Sequence, residues 1–301
     1  MKIMKNKAII ITGPTASGKS DFAHKLAMRI NGAIINCDSV QIYRGIENIS
    51  ASPFACRSIT DEIDGVPYRL FSIVSLEKHI SVADYLDLAR KAMDEIMAMG
   101  KIPIFVGGTG YYINVLLNGI AKIPEISDEN RKRARAMVIN DRDAVYRLLP
   151  DDFDKTDPQR VARALEVFLE TGIHLTQWQK LPRTGALVSD AYKILVLPER
   201  EILLSRIAER VPEMIHGGAV VEAQNIIANN LNPERAIGGV QLCKMLRGEI
   251  SAQQAIENWI TKTNQYAKRQ RTWFRGQFNP DVAILHVPND TDVDDIVKKI
   301  L

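Results

Sequence analysis

Cysteine is scarce. Three residues, Cys37, Cys56 and Cys243, are spread through 301 positions, an odd number with no CxxC pair. That pattern excludes a disulfide framework and a zinc knuckle. Long apolar runs are missing as well; none approaches the roughly 20 residues that a membrane-spanning helix needs. Charge of one sign is also missing: 39 basic against 36 acidic side chains leave a formal net charge of +3. Any face for a polyanion must therefore come from local clustering. There is no internal repeat and no low-complexity tract. The basic start, Met1 to Lys7, leads only into the short run Ala8–Ile11, with no signal-peptide core or cleavage site after it, so a cytoplasmic protein is expected. What is present is an ordinary globular composition, 46% hydrophobic and 25% charged, long enough for two domains or one large core with an insertion.

The first 120 residues alternate strand and helix. A β-branched run, Ala8–Thr12, breaks at Gly13-Pro14; a helix is expected over Lys19–Arg29, then a second apolar run, Ala33–Asn36. Ser81 is placed to cap a helix carrying Val82, Leu86, Ala89, Met93 and Ile96 on one face, and Gly100 closes it. Ile102–Val106 is a further buried strand, followed by Gly107-Gly108-Thr109-Gly110. Continuous apolar strands joined by helices predict an α/β fold, a P-loop NTPase-like parallel sheet flanked by helices. Around Pro124 the pattern turns to charged helices without strands, one after Ser127 with Arg131, Lys132, Arg133 and Arg135, another from Asp157-Pro158 to Thr171-Gly172. Residues 122–185 therefore read as a helical insertion or lid, and residues 1–121 and 186–301 as the core. Tyr192–Leu197 returns to the sheet, and a last strand is expected at Val282–Val287.

Gly13, Pro14, Thr15, Ala16, Ser17, Gly18, Lys19 and Ser20 fit the spacing G-x-x-x-x-G-K-[ST]. The glycines let the backbone curl so that its N–H groups face one oxyanion at the positive end of the following helix. Lys19 offers a point charge to the terminal phosphate, and Ser20 a hydroxyl to Mg²⁺. Chance would produce the four fixed positions in about one chain of this length in a hundred, and here a strand precedes and a helix follows. A di- or triphosphate is expected in this loop. A P-loop ATPase usually adds an Asp at the end of a later strand to help hold Mg²⁺. Here that strand ends in Gly-Gly-Thr-Gly, and the acid comes earlier, at Asp38, on the carboxyl edge of the sheet where ligands bind. Asp38-Ser39 also reads as a plain helix N-cap. Arg206 and Arg210, four apart, share a helix face that by spacing alone is a solvated one.

With these pieces the chain resembles the tRNA dimethylallyltransferase family, the isopentenyl-pyrophosphate:tRNA transferases. The resemblance rests on Gly13–Ser20, on Asp38-Ser39-Val40-Gln41-Ile42-Tyr43-Arg44-Gly45, and on Val106-Gly107-Gly108-Thr109-Gly110-Tyr111-Tyr112. It continues through Asp157-Pro158-Gln159-Arg160, Arg163–Glu166, Gln265–Gln270 and Thr272-Trp273-Phe274-Arg275. It implies transfer of a dimethylallyl group from its pyrophosphate to the exocyclic amine of the adenine 3′ of a tRNA anticodon, with Mg²⁺ as cofactor. It further implies Asp38 as the acid–base group, and Lys19 and Arg210 on the pyrophosphate. The tRNA contacts implied are Asp38, Ser39, Val40, Gln41, Thr109, Arg131, Pro158, Gln159, Arg160, Val161, Arg235, Lys268 and Arg271. The partners expected are the anticodon stem-loop and dimethylallyl pyrophosphate, with no membrane, and the protein is expected to be a monomer.

Three segments depart from the family pattern. Ile49-Ser50-Ala51-Ser52-Pro53 stands where Gly-Thr-Ala-Lys-Pro is common, Gly239-Val240 where Tyr-Arg is, and Asn264 where an arginine is. Each is expected to remove a tRNA contact, and none to touch the phosphate loop or Asp38. Thr261–Arg275 carries five basic residues, no acid, and Tyr266, Trp273 and Phe274. It reads either as a core helix with a solvated basic back or as a grip on tRNA phosphates. Two rivals share the phosphate loop: a small-molecule kinase with a lid, and a nucleotide switch or RNA-binding module without transfer chemistry.

Overall fold

A computed structural model describes residues 8–300; the basic start on which the localisation expectation drew, Met1–Lys7, lies outside the described residues, as does Leu301. The chain divides into two compact units, Met1–Leu117 with Leu187–Leu301, and Asn118–Ala186.

The first unit is built on seven strands: β1 (Ile9–Thr12), β2 (Gly32–Asn36), β3 (Glu62–Ile63), β4 (Val66–Arg69), β5 (Ile102–Gly107), β6 (Tyr192–Val196) and β7 (Val282–Ile284). Their order is β7-β6-β1-β5-β2-β4-β3. All neighbours are parallel except the β3–β4 hairpin at one edge. Ile11 on β1 sits between Ile194 on β6 and Val106 on β5, and Ile34 pairs with Ile104. Every residue of β1 and β2 is buried, the consequence of helices covering both faces and the reason those strands read as unbroken apolar runs. The sequence expectation of an α/β fold with a parallel sheet is met.

Helix α1 (Lys19–Ile30) turns Phe22, Leu26 and Ile30 into the sheet, each burial contributing about 1.5–3 kcal/mol. At its end Asn31 takes the left-handed conformation, φ 53°, and Gly32 follows where a Cβ would lie 2.6 Å from Ile104. Helix α2 (Val82–Ala98) begins at a full capping box: the Ser81 side chain accepts from Asp84 N–H while the Asp84 carboxylate accepts from Ser81 N–H. Helix α3 (Gly110–Asn118) follows β5 directly. The last strand stops at Ile284, three residues short of expectation, because Val287 and Pro288 instead pass close to Gly18 of the phosphate loop.

The second unit holds α4 (Asp128–Asn140), α5 (Arg142–Leu148) and α6 (Pro158–Thr171) around its own apolar cluster, with Ala134, Val145, Leu149 and Leu165 at its centre. Asp157 caps α6 by accepting from the N–H groups of Gln159 and Arg160, Pro158 occupies the first turn, and Gly172 ends the helix at φ 70°. The expectation of helices without strands needs one correction: Ile120–Ala121 and Arg183–Thr184 form a two-residue antiparallel pair. Two residues are too few to leave a periodic signal.

The first unit closes with α7 (Arg200–Met214), a π-helical turn at Ile215–Ala219, α8 (Val220–Ala228), α9 (Gly239–Leu246), α10 (Ala252–Gln277) and α11 (Asp290–Ile300). Among the described residues no helix is long and apolar enough to cross a membrane.

Candidate active site

The phosphate loop joins β1 to α1. Gly13 has no room for a side chain, since a Cβ there would meet the Val196 carbonyl at 2.1 Å. Gly18 turns the chain at φ 89° and leaves the first turn of α1 without a side-chain cap, so its N–H groups are free to face an anion. Ala16 also takes a left-handed conformation, φ 64°, unusual for a residue with a Cβ. Arg206 secures that residue, its Nε donating to the Ala16 carbonyl at 2.8 Å.

Two cations serve this loop. Lys19 Nζ donates to the Pro14 carbonyl at 3.2 Å. Burial, partly opposed by the attraction of Asp38 and helped by the repulsion of Arg210, lowers its pKa to about 8. Arg210 Nη2 donates to Thr15 Oγ1 at 2.7 Å, while its Nε is buried without a protein partner. Burial, and then the neighbouring Arg206, bring its pKa down to about 10. Both arginines donate to the phosphate loop; Arg210 is half-buried there, whereas Arg206 stays exposed, as spacing favoured, apart from its bond to Ala16.

Asp38 follows β2. The buried Asn36 shapes the turn, its Oδ1 accepting Asp38 N–H at 2.9 Å and its Nδ2 donating to the carbonyls of Asp38 and Leu70, both at 3.0 Å. Asp38 Oδ1 accepts Val40 N–H at 2.9 Å. This is a side-chain turn, with no helix behind it to cap. Lys19, Ser20 and Asp38 line one pocket with Gln41, and its other walls are apolar: Ile34, Pro53, Tyr68, Phe71 and Val106. Pro53 belongs to a segment expected to be remote from Asp38; it forms part of the same pocket.

Gly107-Gly108-Thr109-Gly110 runs beside Asp38. A Cβ on Gly107 would sit 2.0 Å from the Cys37 carbonyl, so only glycine allows the two loops to cross. Thr109 Oγ1 accepts Ser39 N–H at 2.9 Å and donates to Ser39 Oγ at 3.2 Å. Three side chains of α10 reach this loop. The Tyr266 hydroxyl hydrogen-bonds the Thr109 side chain, and the Trp273 ring packs where a Cβ on Gly110 would be, 2.6 Å away. Gln270 is buried; its Oε1 accepts Thr15 N–H at 2.8 Å and its Nε2 donates to the Gly108 carbonyl at 2.8 Å. Sequence reasoning missed Gln270 and Arg206. The amide stood inside a recognisable motif without a stated role, and nothing in its spacing tells that it crosses to two loops.

The remaining expected contacts divide. Val40 is half-buried beside Asp38, and Lys268 is exposed on α10. Gln41 spends its Nε2 on the carbonyls of Ser50 and Ala51, at 3.1 and 2.9 Å. Arg235 lies over the Tyr43 ring at 5.1 Å and donates to the Lys78 carbonyl at 3.1 Å. Arg271 donates from Nη1 to the Pro198 carbonyl in the loop after β6. In the second unit Arg131 is 3.7 Å from Asp128, and Arg160 pairs with Asp154 at 3.0 Å; Pro158 and Gln159 lie exposed on the first turn of α6. Val161 is 2% exposed within the apolar cluster of that unit, so its side chain packs and does not reach a partner. At Gly239 a Cβ would approach the Pro233 carbonyl to 2.5 Å, so the start of α9 packs closely there.

A phosphate loop served by two half-buried cations, beside a pocket that its lysine shares with a carboxylate, has counterparts in known proteins. The family model described as IPP transferase matches residues 41–277, and that described as isopentenyl transferase matches residues 6–66. A tRNA dimethylallyltransferase from Agrobacterium fabrum is 38% identical over 289 residues, 91% of this chain and 95% of that one. Among solved structures, the full-length tRNA isopentenylpyrophosphate transferase of Bacillus halodurans is 30% identical, with a TM-score of 0.69 over 98% of this chain and 96% of its own. A eukaryotic dimethylallyltransferase acting on tRNA is 25% identical, with a TM-score of 0.76 over 98% of this chain and 77% of its own. With the motifs, the fold and the length all shared, the chain belongs to the tRNA dimethylallyltransferase family.

Proposed function

We infer that this chain transfers the dimethylallyl group of dimethylallyl pyrophosphate to the N6 amine of the adenosine 3′ of a tRNA anticodon, releasing pyrophosphate. One observation supports this most: Lys19, Ser20, Asp38 and Gln41 line one pocket together with Ile34, Pro53, Tyr68, Phe71 and Val106, a polar side against an apolar one. The pyrophosphate takes the polar end, and the five-carbon chain lies against Ile34, Pro53 and Phe71. In the transfer the bond from the allylic carbon to the pyrophosphate oxygen breaks, its electron pair leaving with the pyrophosphate. The adenine N6 forms the new bond, and its proton passes to the Asp38 carboxylate. Lys19 and Arg210 complement the charge that grows on the leaving oxygens, a term that counts most in a buried site. The adenine must leave the anticodon-loop stack to reach Asp38.

The residues present fit magnesium as a companion of the pyrophosphate. Ser20 offers one exposed hydroxyl at the start of α1, and no cluster of three or more His, Cys, Asp or Glu stands ready for a metal among the described residues. A cation that keeps several waters and takes phosphate oxygens suits that donor set. When bound, it neutralises charge on the pyrophosphate. For the RNA backbone we assign Lys268 on α10 of the first unit and, within the second unit taken by itself, Arg131, Gln159 and Arg160.

Incubation with radiolabelled dimethylallyl pyrophosphate and unmodified tRNA tests the reading. Label should enter tRNA with one pyrophosphate released per transfer. Turnover of labelled ATP without tRNA would favour a kinase, and tRNA binding with neither reaction would leave an RNA-binding module.

A further inference from the structure

The amide of Gln270 joins two loops that the sequence keeps far apart. Thr15, whose N–H it accepts, is 255 positions away, and Gly108, to whose carbonyl it donates, is 162 away. The fit is tight: a Cβ on Gly108 would stand 2.4 Å from Gln270 Nε2. Each loop goes on to an end of the reaction. Thr15 carries the hydroxyl that Arg210 holds, and its own N–H is turned away from the phosphate cradle toward Gln270. Gly108 precedes Thr109, which fixes Ser39 N–H and so the backbone beside Asp38. On α10, Tyr266 and Trp273 flank Gln270 at i−4 and i+3 and grip Thr109 and Gly110.

We propose that Gln270 is a positioning residue for the transfer: its side-chain amide sets the separation between the phosphate loop that holds the donor and the Asp38–Thr109 edge that holds the acceptor. It touches neither substrate. It acts through Thr15 and Gly108, and a helix face with a neutral amide can do this without placing a charge beside the pyrophosphate. A displacement of about 1 Å between reacting groups costs on the order of a hundredfold in rate. Loss of the bridge therefore reaches the chemical step more than either binding step.

The inference rests on the transferase reading, and the test separates the two. Gln270→Met keeps volume and removes both hydrogen bonds; Gly108→Ala displaces the amide from the opposite loop, its Cβ also standing 3.1 Å from the Gly13 carbonyl, which the pyrophosphate Kd monitors, and carries the test alone where the methionine variant does not fold. The parent enzyme is run first in a single-turnover assay with dimethylallyl pyrophosphate and tRNA; absence of label in tRNA there overturns the transferase reading itself. In each folded variant the single-turnover rate should fall by tenfold or more, while the Kd for tRNA and for inorganic pyrophosphate stay within threefold of the parent. The double variant should be no slower than the slower single one, because both remove one bridge. A rate loss under tenfold, a loss matched by weaker binding of either ligand, or additive effects in the double variant would overturn the proposal. Thermal stability alone changing would assign Gln270 to the core.

Discussion

Raising the pH should weaken donor binding through Lys19. In the free protein, burial holds the ammonium at about 8 rather than 10.5, outweighing the attraction of Asp38, and Arg210 adds repulsion. Keeping Lys19 charged at neutral pH therefore costs about 3 kcal/mol. The sign follows from the order of the two values. The folded pKa lies below the unfolded one, so between pH 8 and 10.5 the unfolded chain binds more protons, and stability rises with pH across that window. Donor binding runs the other way, since pyrophosphate oxygens favour the ammonium. Above pH 8 each pH unit should cost about tenfold in affinity, so binding at pH 9 should be about tenfold weaker than at pH 7. The assay is calorimetric titration with dimethylallyl thiolopyrophosphate, an unreactive analogue whose last ionisation, as in a phosphate monoester, falls at about pH 6. Arg210, at about 10, titrates above the range, and Lys19→Met should bind more weakly with no bend near pH 8. An affinity constant within twofold from pH 7 to 9, or a bend that survives in Lys19→Met, refutes the buried-ammonium argument.

Asp38→Asn should lower kcat by about two to four orders of magnitude, the usual contribution of a positioned acid–base group, with little change in tRNA affinity; half the parental kcat would remove Asp38 from that role. Arg210→Ala should raise the KM for the donor and slow the chemical step while leaving the KM for tRNA alone, and an effect confined to thermal stability would argue against it. Lys268→Ala should reduce the log–log salt slope of tRNA binding by about 0.7 to 0.9, whereas Arg271→Ala, whose guanidinium holds the Pro198 carbonyl, should leave that slope unchanged and lower stability by about 1 kcal/mol. Ser81→Ala should break the capping box of α2 at about 1 kcal/mol, read as a fall of about 2–4 °C in Tm.

Much of the sheet was legible because its strands are buried on both faces. Ile9–Thr12, Gly32–Asn36 and Ile102–Gly107 carry no alternation to misread, and each is followed by glycine, polar turn residues or both. Helix starts at Ser81, Ser127 and Asp157 were legible because capping chemistry is local. The edge hairpin Glu62–Arg69 was not, being short, half-exposed and interrupted by Pro67. The π-helical turn at Ile215–Ala219 was not legible either; Gly218 sits there at φ 119°, and Asn48 and Ile49 are held from the next helix by the carboxylate of Glu222. At the site, the strand–loop–helix order around Gly13–Ser20 is a local signal. Contacts of Arg206, Arg210 and Gln270 with that loop span 190 to 255 positions and leave no trace in spacing.

The arrangement of charge explains why so many neutral groups brace this pocket. Lys19 and Arg210 are both held below their ordinary pKa by burial, and a buried Arg210 Nε has no protein partner. Asp38 attracts both cations but lies at the acceptor edge, hydrogen-bonded to Val40 N–H, and cannot neutralise two of them. Asp38, and Glu213 on the Arg210 side, offset the two cations only in part, so both stay below their ordinary pKa, and positive charge arranged in advance is what lowers the barrier to a pyrophosphate leaving group. The loop must keep its shape against that repulsion by bonds that add no negative charge. Its fixings meet the requirement: the Pro14 and Ala16 carbonyls accept from Lys19 and Arg206, the Thr15 hydroxyl accepts from Arg210, and an amide receives the Thr15 N–H. A carboxylate at position 270 would make the same bond to Thr15 but would oppose the entering pyrophosphate and repel the Gly108 carbonyl. The glutamine is thus the side chain of its length that satisfies both loops and leaves the field of the pocket to the donor.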